Sequence, residues 1–477
     1  MEDCSTNITG ATPEQIAAFK EVIDRFELTN DKISLATREF TDALNNGLKG
    51  EKDSLPMFPS LITGRPTGEE KGTYLGLTID TGGLELHVSL VTLLGNRKLQ
   101  RNVQKFTVAA PGQSNLMDFA ADCVQQFVST HDVRPDETLL SGGYIPLGFT
   151  FAFPMKHTSK VEGILMGWNK DFYAPGLVGR SVSRLLADAI TRRNLKVKVV
   201  GVANNVVAEL LAASYISPNT HIAAIFGTGT NAAYYESTKR LASRLPNNND
   251  SPSSTTPATT ATDDVMAINT EWGNFDPQGV ILPVSLHDNK LDRKSTNPGR
   301  QRFEKMVGDR YLGEIARNMI TYLIDCRVLF NGYSSEILNH MNSFATGYIH
   351  VIVADPTPEL KECQAIFEET LNISPTTIVD RRIIREVCHL IGKRAARLAG
   401  VALSALLTES QYRGTDTTIA LTGSVFTTYP QFSDIMKETM AKVLGAENAA
   451  KVSIEMQNHS LIGGSFVAMM ALTQGEP

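Results

Sequence analysis

Two short segments carry residue types suited to handling hydroxyls and phosphates. In the first, Val199-Val200-Gly201-Val202-Ala203 runs into Asn204-Asn205. An amide can hydrogen-bond a hydroxyl, but it cannot remove its proton as a carboxylate can. In the second, Ile225-Phe226 leads into Gly227-Thr228-Gly229-Thr230-Asn231. A glycine-threonine-glycine turn directly after a strand offers backbone N–H groups to phosphate oxygens. Moving a phosphoryl group to a hydroxyl requires amides around the phosphates, partners for the acceptor's hydroxyls, and a carboxylate beside the attacking oxygen.

Elements to position these residues are legible. Thr12-Pro13-Glu14-Gln15 is a helix start, followed by Ile16, Phe19, Ile23 and Phe26 at helical spacing. A second amphipathic helix is expected from about Asp31 to Asn45. Leu55-Pro56-Met57-Phe58-Pro59 and Gly64-Arg65-Pro66-Thr67-Gly68 read as an extended connection. Tyr74 to Ile79, a Gly82-Gly83 turn and Leu86 to Leu94 predict a hairpin. Further strands are expected at Lys105 to Ala109, Leu147 to Phe153, Lys196 to Ala203 and His221 to Phe226. Beyond Arg300 the pattern is helical, apart from a strand near Thr417 to Leu421. Alternating strands and helices make an α/β protein with sheets buried between helices. Residues 244–264, rich in Asn, Ser, Thr and Pro, lack core-forming periodicity and read as a disordered insert. That insert is either a tolerated loop extension or a docking segment with Ser251-Pro252 as a modification site.

Bulk properties narrow the class. A chain of 477 residues is expected to form more than one domain. Lys and Arg number 45 against 51 Asp and Glu, a net charge of −6, which offers no electrostatic case for nucleic acid or anionic membrane. Five scattered cysteines without a C-x-x-C pair argue for a reducing compartment and against a zinc site. No apolar run approaches the roughly 18 residues of a membrane helix. Met1-Glu2-Asp3-Cys4 is unlike a targeting signal, so an intracellular location, cytoplasmic or nuclear, is expected.

The motifs together resemble the eukaryotic hexokinase family, in order and from about Thr12 to Leu472. Pro146-Leu147-Gly148-Phe149-Thr150-Phe151-Ala152-Phe153-Pro154, followed by Gly163-Ile164-Leu165-Met166-Gly167-Trp168-Asn169-Lys170, is similar to the family's sugar-binding signature. Ile268-Asn269-Thr270-Glu271-Trp272-Gly273 and Asn297-Pro298-Gly299-Arg300-Gln301-Arg302-Phe303-Glu304 match two more segments. The resemblance implies a two-lobed α/β fold with an actin-like (ribonuclease H-like) ATPase core. It divides the chain into an N-terminal, small-lobe region at 12–215 and a C-terminal, large-lobe region at 217–475. It assigns hexose contacts to Thr150, Asn169, Lys170, Asn204, Asn205, Asn231, Glu271 and Glu304. Nucleotide contacts fall to Asp80, Gly82, Gly83, Gly227, Thr228, Gly229, Gly423 and Ser424, with ATP and Mg²⁺ as the implied cofactors. The plain alternative for the two acids is a surface charge with no ligand.

The departures are concentrated. Where the family has Asn-Asp-Thr, this chain has Asn204-Asn205-Val206, so the proton-removing Asp is an amide and no catalytic residue is intact. A positioned base contributes about 10²–10⁴-fold. Lys156 replaces a family serine, and Asn169 a threonine. In the first phosphate loop Leu84 removes a hydroxyl, Glu85 adds a negative charge near the phosphates and His87 replaces a permanent cation. The C-terminal glycine-rich turn has become Asn458-His459-Ser460-Leu461-Ile462-Gly463-Gly464-Ser465. The expectation is a non-catalytic regulatory member that binds hexose, glucose foremost, and signals to a protein partner. Such members resemble fungal proteins of carbon and nutrient signalling, including control of secreted proteases. The alternatives are an active ATP-dependent hexokinase acting on the 6-hydroxyl through another acid, and a scaffold with a vestigial pocket. Elsewhere, His389 beside Cys388 reads as packing, and Arg381, Arg382 and Arg385 as a solvated helix face.

Overall fold

Local chemistry sets the first elements. Thr12 caps the helix Pro13–Phe26, and the Gln15 side chain returns the bond to the Thr12 N–H. The second helix, Asn30–Lys49, runs past Asn45 and ends on Gly50, whose φ of 77° provides the left-handed cap. The structure is a computed structural model describing residues 8–52, 54–79, 85–108, 116–134, 140–168, 172–241, 243–245, 264–457 and 459–475.

The strands among the described residues are β1 (Phe58–Thr63), β2 (Lys71–Ile79), β3 (Glu85–Gly95), β4 (Lys98–Thr107), β5 (Ile145–Phe151), β6 (Met155–Ser159), β7 (Glu162–Leu165), β8 (Val197–Ala203), β9 (Thr220–Phe226), β10 (Thr230–Ser237), β11 (Val265–Asn269), β12 (Thr417–Thr422) and β13 (Val452–Met456). They form a five-stranded sheet, β4-β3-β2-β5-β8, a six-stranded sheet, β1-β11-β10-β9-β12-β13, and the hairpin β6-β7. The expected hairpin is β2–β3, with Ile79 opposite Leu86. Six strands depart from the sequence reading: β6, β7, β10 and β11 fall where no strand was expected, and β1 and β13 lie in stretches read otherwise. The stretch taken as a connection contains β1, which pairs antiparallel to β11. The region read as helical contains β13, an edge strand parallel to β12 whose mostly exposed residues carry little alternation.

Packing crosses the sequence halves. The helices Pro13–Phe26 and Asn30–Lys49 bury Phe19, Phe26 and Phe40 in one core with Ile315, Val387 and Leu403. The C-terminal helix Gly463–Thr473 instead returns to the five-stranded sheet. It lies so close that a Cβ on Gly148 of β5 would fall 1.9 Å from the Gly464 carbonyl oxygen, which only glycine permits. With the helix Asn205–Ile216 it fills a third core shared by both sheets, including Val91, Val207, Ala233, Ala420 and Phe466. Two further readings change. Arg244 is no part of a loose insert, because its guanidinium donates to the carbonyls of Gly47, Pro56 and Met57 at 2.6–3.1 Å. Arg381 is buried and bonds Thr376, so it leaves the solvated face. Residues 246–263, with Ser251-Pro252, lie outside the described residues.

Candidate functional site

Of the expected hexose residues, Asn204 and Asn205 follow β8, Asn231 lies on β10, Glu271 follows β11 and Glu304 lies on the helix Arg302–Val307. Hydrogen bonds and close packing join the segments of the last three. Asn204 stops β8 and caps the next helix, its side-chain oxygen accepting the Val206 N–H at 3.0 Å. Asn205 is the first residue of that helix and is buried, and among the described residues no hydrogen bond holds its side chain. Asn231, on β10, organises the acids. Its oxygen accepts from the Ala232 and Glu271 N–H groups at 2.8 and 3.1 Å, and its nitrogen donates to Asn269 at 2.8 Å. Asn269 in turn donates to the Glu271 carboxylate at 2.9 Å. Glu271 has φ 51°, a left-handed backbone costing about 1–3 kcal/mol in a non-glycine residue. The Asn231 bond to its N–H helps to hold that conformation. Glu304 is also buried and accepts the Thr230 N–H at 3.0 Å. It approaches Gly273 so closely that a Cβ there would lie 3.1 Å from its own. Trp272 donates to the Thr230 hydroxyl at 3.0 Å and packs against Phe40, Phe226 and Phe303, making this cluster rigid.

Thr150 sits differently. It is wholly buried, its hydroxyl 3.1 Å from the Leu77 carbonyl oxygen and 2.6 Å from the Thr78 hydroxyl, which donates to Ser460 at 3.3 Å. Its proton is spent inside the sheet. Lys156 is exposed on β6. Asn169, Lys170, Asp80, Gly82, Gly83, Leu84 and Asn458 lie outside the described residues.

The two remaining glycine loops meet. Gly423 has φ 121°, and a Cβ there would stand 2.3 Å from the Phe226 carbonyl and 2.5 Å from the Gly227 nitrogen. No side chain fits. The Gly227 and Thr228 carbonyls accept the Asp309 and Arg310 N–H groups at 2.8 and 3.4 Å, fastening the turn to the helix Asp309–Asp325.

Comparison with known proteins agrees with this arrangement. Two family models described as hexokinase match residues 18–215 and 221–471. Hexokinase-1 of Saccharomyces cerevisiae is 33% identical over 434 residues, covering 88% of this chain and 84% of that one. The chain belongs to the hexokinase family. Hexokinase-1 of Schizosaccharomyces pombe is 33% identical over 460 residues, covering 94% and 90%, and hexokinase-2 of Candida albicans 31% over 477, covering 98% and 94%. A hexokinase from Schistosoma mansoni complexed with glucose matches the structure with a TM-score of 0.81 at 28% identity, covering 96% of this chain and 99% of that one. The fold is the two-lobed hexokinase fold.

Within this hexokinase frame, one expected charge is compensated. Glu85 pairs with Lys105 on the neighbouring strand and with His87 at 3.4 Å. The Lys105 bond holds its carboxyl below the usual range. Sequence reasoning passed over Glu209, which lies four residues after Asn205 and so on the same helix face. It is fully buried, both its oxygens 3.1 Å from the His459 N–H of the C-terminal turn. Burial pushes its carboxyl up to about 7, against the opposing His459 bond. The spacing from Asn205 was the available signal.

Proposed function

We propose that this hexokinase-family protein binds hexose, with glucose the first candidate, and works as a sugar-responsive regulator that does not transfer phosphate. The reading is supported by two buried, hydrogen-bonded carboxylates, Glu271 and Glu304, in a chain that has Asn205 where the family resemblance puts the base. Carboxylate acceptors recognise paired hydroxyls, and a sugar lacking one leaves a buried acceptor unpaired at about 1–3 kcal/mol. Without a base, an ordinary kinase turnover of about 1–100 per second falls by about 10²–10⁴-fold. The sugar acts by favouring the closed arrangement of the lobes, to the extent that it binds that form more tightly. The downstream role expected from the resemblance is carbon or nutrient signalling through a protein partner, with control of secreted proteases as one output.

A second reading, an active hexokinase with Glu209 as substitute base, draws on the raised affinity of that carboxyl for a proton. Its geometry is unfavourable: Glu209 lies about 6 Å along the helix from Asn205 and faces the His459 N–H. Calorimetric titration with glucose, paired with a glucose-dependent ADP-release assay, tests the proposal. Saturable glucose binding without release above blank is expected; release at ordinary kinase speed would overturn it.

A further inference from the structure

Hexokinases use ATP and Mg²⁺, and the crevice between the two glycine loops can be tested for its fit to a nucleotide. A helix N-terminus offers a phosphate its first free N–H groups and its positive end. On the helix Asp309–Asp325 these are already engaged. The Asp309 and Arg310 N–H groups donate to the Gly227 and Thr228 carbonyls. The Asp309 carboxylate stands in the helix's first turn, its affinity for a proton raised by burial and lowered in part by His350 and by Ser424 of the opposing loop. The Asp309 carbonyl takes the Thr346 hydroxyl.

The adjoining space is stitched in the same way. His350, on the helix Thr346–Ala354, meets the Thr428 hydroxyl at 2.6 Å through Nδ1. That hydroxyl donates to the Ser424 carbonyl at 2.8 Å, which leaves Nδ1–H as the donor from the ring. The imidazole also packs edge-on against Tyr429, centroids 6.0 Å apart. The helix at Asp309, the helix at His350 and the segment Ser424–Tyr429 are thereby tied together around the point where Gly227 and Gly423 touch. Arg310 is exposed beside this junction, next to the partly buried Asp309. A polyphosphate entering beside Gly227, whose carbonyl holds the Asp309 N–H, would share the space with the Asp309 carboxylate. These residues do not fit the family's cofactor.

We propose that the chain's own Asp309 and His350 close the crevice between the Gly227–Gly229 and Gly423–Ser424 loops to nucleoside triphosphates, leaving hexose as the ligand the protein answers to. This rests on the reading above, which assigns these loops to the nucleotide side of a non-catalytic hexokinase. The test titrates the full chain and Asp309→Gly/His350→Ser with ATP–Mg²⁺, using glucose binding as the measure of an intact fold. The unaltered protein should not saturate up to about 1 mM ATP, the upper end of ordinary substrate affinities. The double variant should gain about tenfold or more in ATP affinity, because like charges brought together oppose binding strongly. Its glucose affinity should be unchanged.

Micromolar ATP binding by the unaltered protein overturns the closure. So does a double variant that binds glucose normally and gains nothing. Should the double variant lose glucose binding, Asp309→Asn decides: a gain in ATP affinity supports closure, and no gain overturns it. ATP binding without glucose 6-phosphate formation removes this inference alone, whereas glucose-dependent ADP release also removes the non-catalytic reading.

Discussion

The segments that the family resemblance assigns to hexose, here the hexose wall, and those it assigns to nucleotide, the nucleotide wall, are held by different kinds of contact. On the hexose wall, Asn231, Asn269, Thr230 and the Thr230 and Glu271 N–H groups hold the acids Glu271 and Glu304 in place. On the nucleotide wall, carboxylates accompany the glycines: Asp309, whose N–H donates to the Gly227 carbonyl, and Glu209, against the C-terminal turn. The contrast shows that a retained glycine motif is weak testimony for phosphate binding. Gly423 is required here because any Cβ would strike the Phe226 backbone, with or without a nucleotide.

The hexose wall should break most sharply. Glu271→Gln combined with Glu304→Gln is expected to weaken glucose binding by about 10²-fold or more, measured by calorimetry on protein whose melting temperature is retained. Unchanged affinity would mean the two walls are equally vestigial. Next comes Glu209, a buried group whose effect should appear in stability. Its folded-state carboxyl titrates near 7 against an ordinary 4.5, so the folded protein keeps a proton that the unfolded chain has lost. Stability should therefore fall as pH rises from about 4.5 to about 7, by up to about 3 kcal/mol. Glu209→Gln should flatten that slope in denaturant titrations across this range, and an unaltered slope would remove the group from the account.

A smaller effect is expected from restoring the base alone. Asn205→Asp should raise glucose-dependent ADP release by less than about tenfold, below the 10²–10⁴ a positioned base normally contributes, because Asp309 still stands in the crevice. Substantial rescue would show the nucleotide wall to be open. The smallest concerns Glu85, half-exposed and paired with Lys105. Exposed pairs contribute about 0–1 kcal/mol, so Glu85→Gln should change ATP affinity by less than about threefold. A larger change, read in the same titration, would move the decisive charge from Asp309 to the first loop.

Much of the scaffold was legible because its signals are local. The Thr12 cap, the β2–β3 hairpin and the apolar strands β5, β8 and β9 follow from capping and hydrophobic pattern within short windows. Of the six strands that escaped, β1 and β13 lie at the ends of the six-stranded sheet, where one neighbour and partial exposure leave little pattern, and β6, β7, β10 and β11 fall where no strand was expected. The candidate hexose residues came from motif resemblance alone, and one of them, Thr150, turns its hydroxyl inward to Leu77 and Thr78. Arg381 read as solvated and is buried against Thr376, because helical spacing alone does not say which neighbour will cover a face.

By itself, the sequence determined the family and placed an amide, Asn205, where the family resemblance expects a carboxylate, since each is a matter of residue type and short spacing. Only the tertiary structure decided that Asp309 meets the Gly227 carbonyl and that Glu209 meets His459, partners more than eighty residues apart along the chain. Charge acts through distance and burial, and both are set by how distant segments pack.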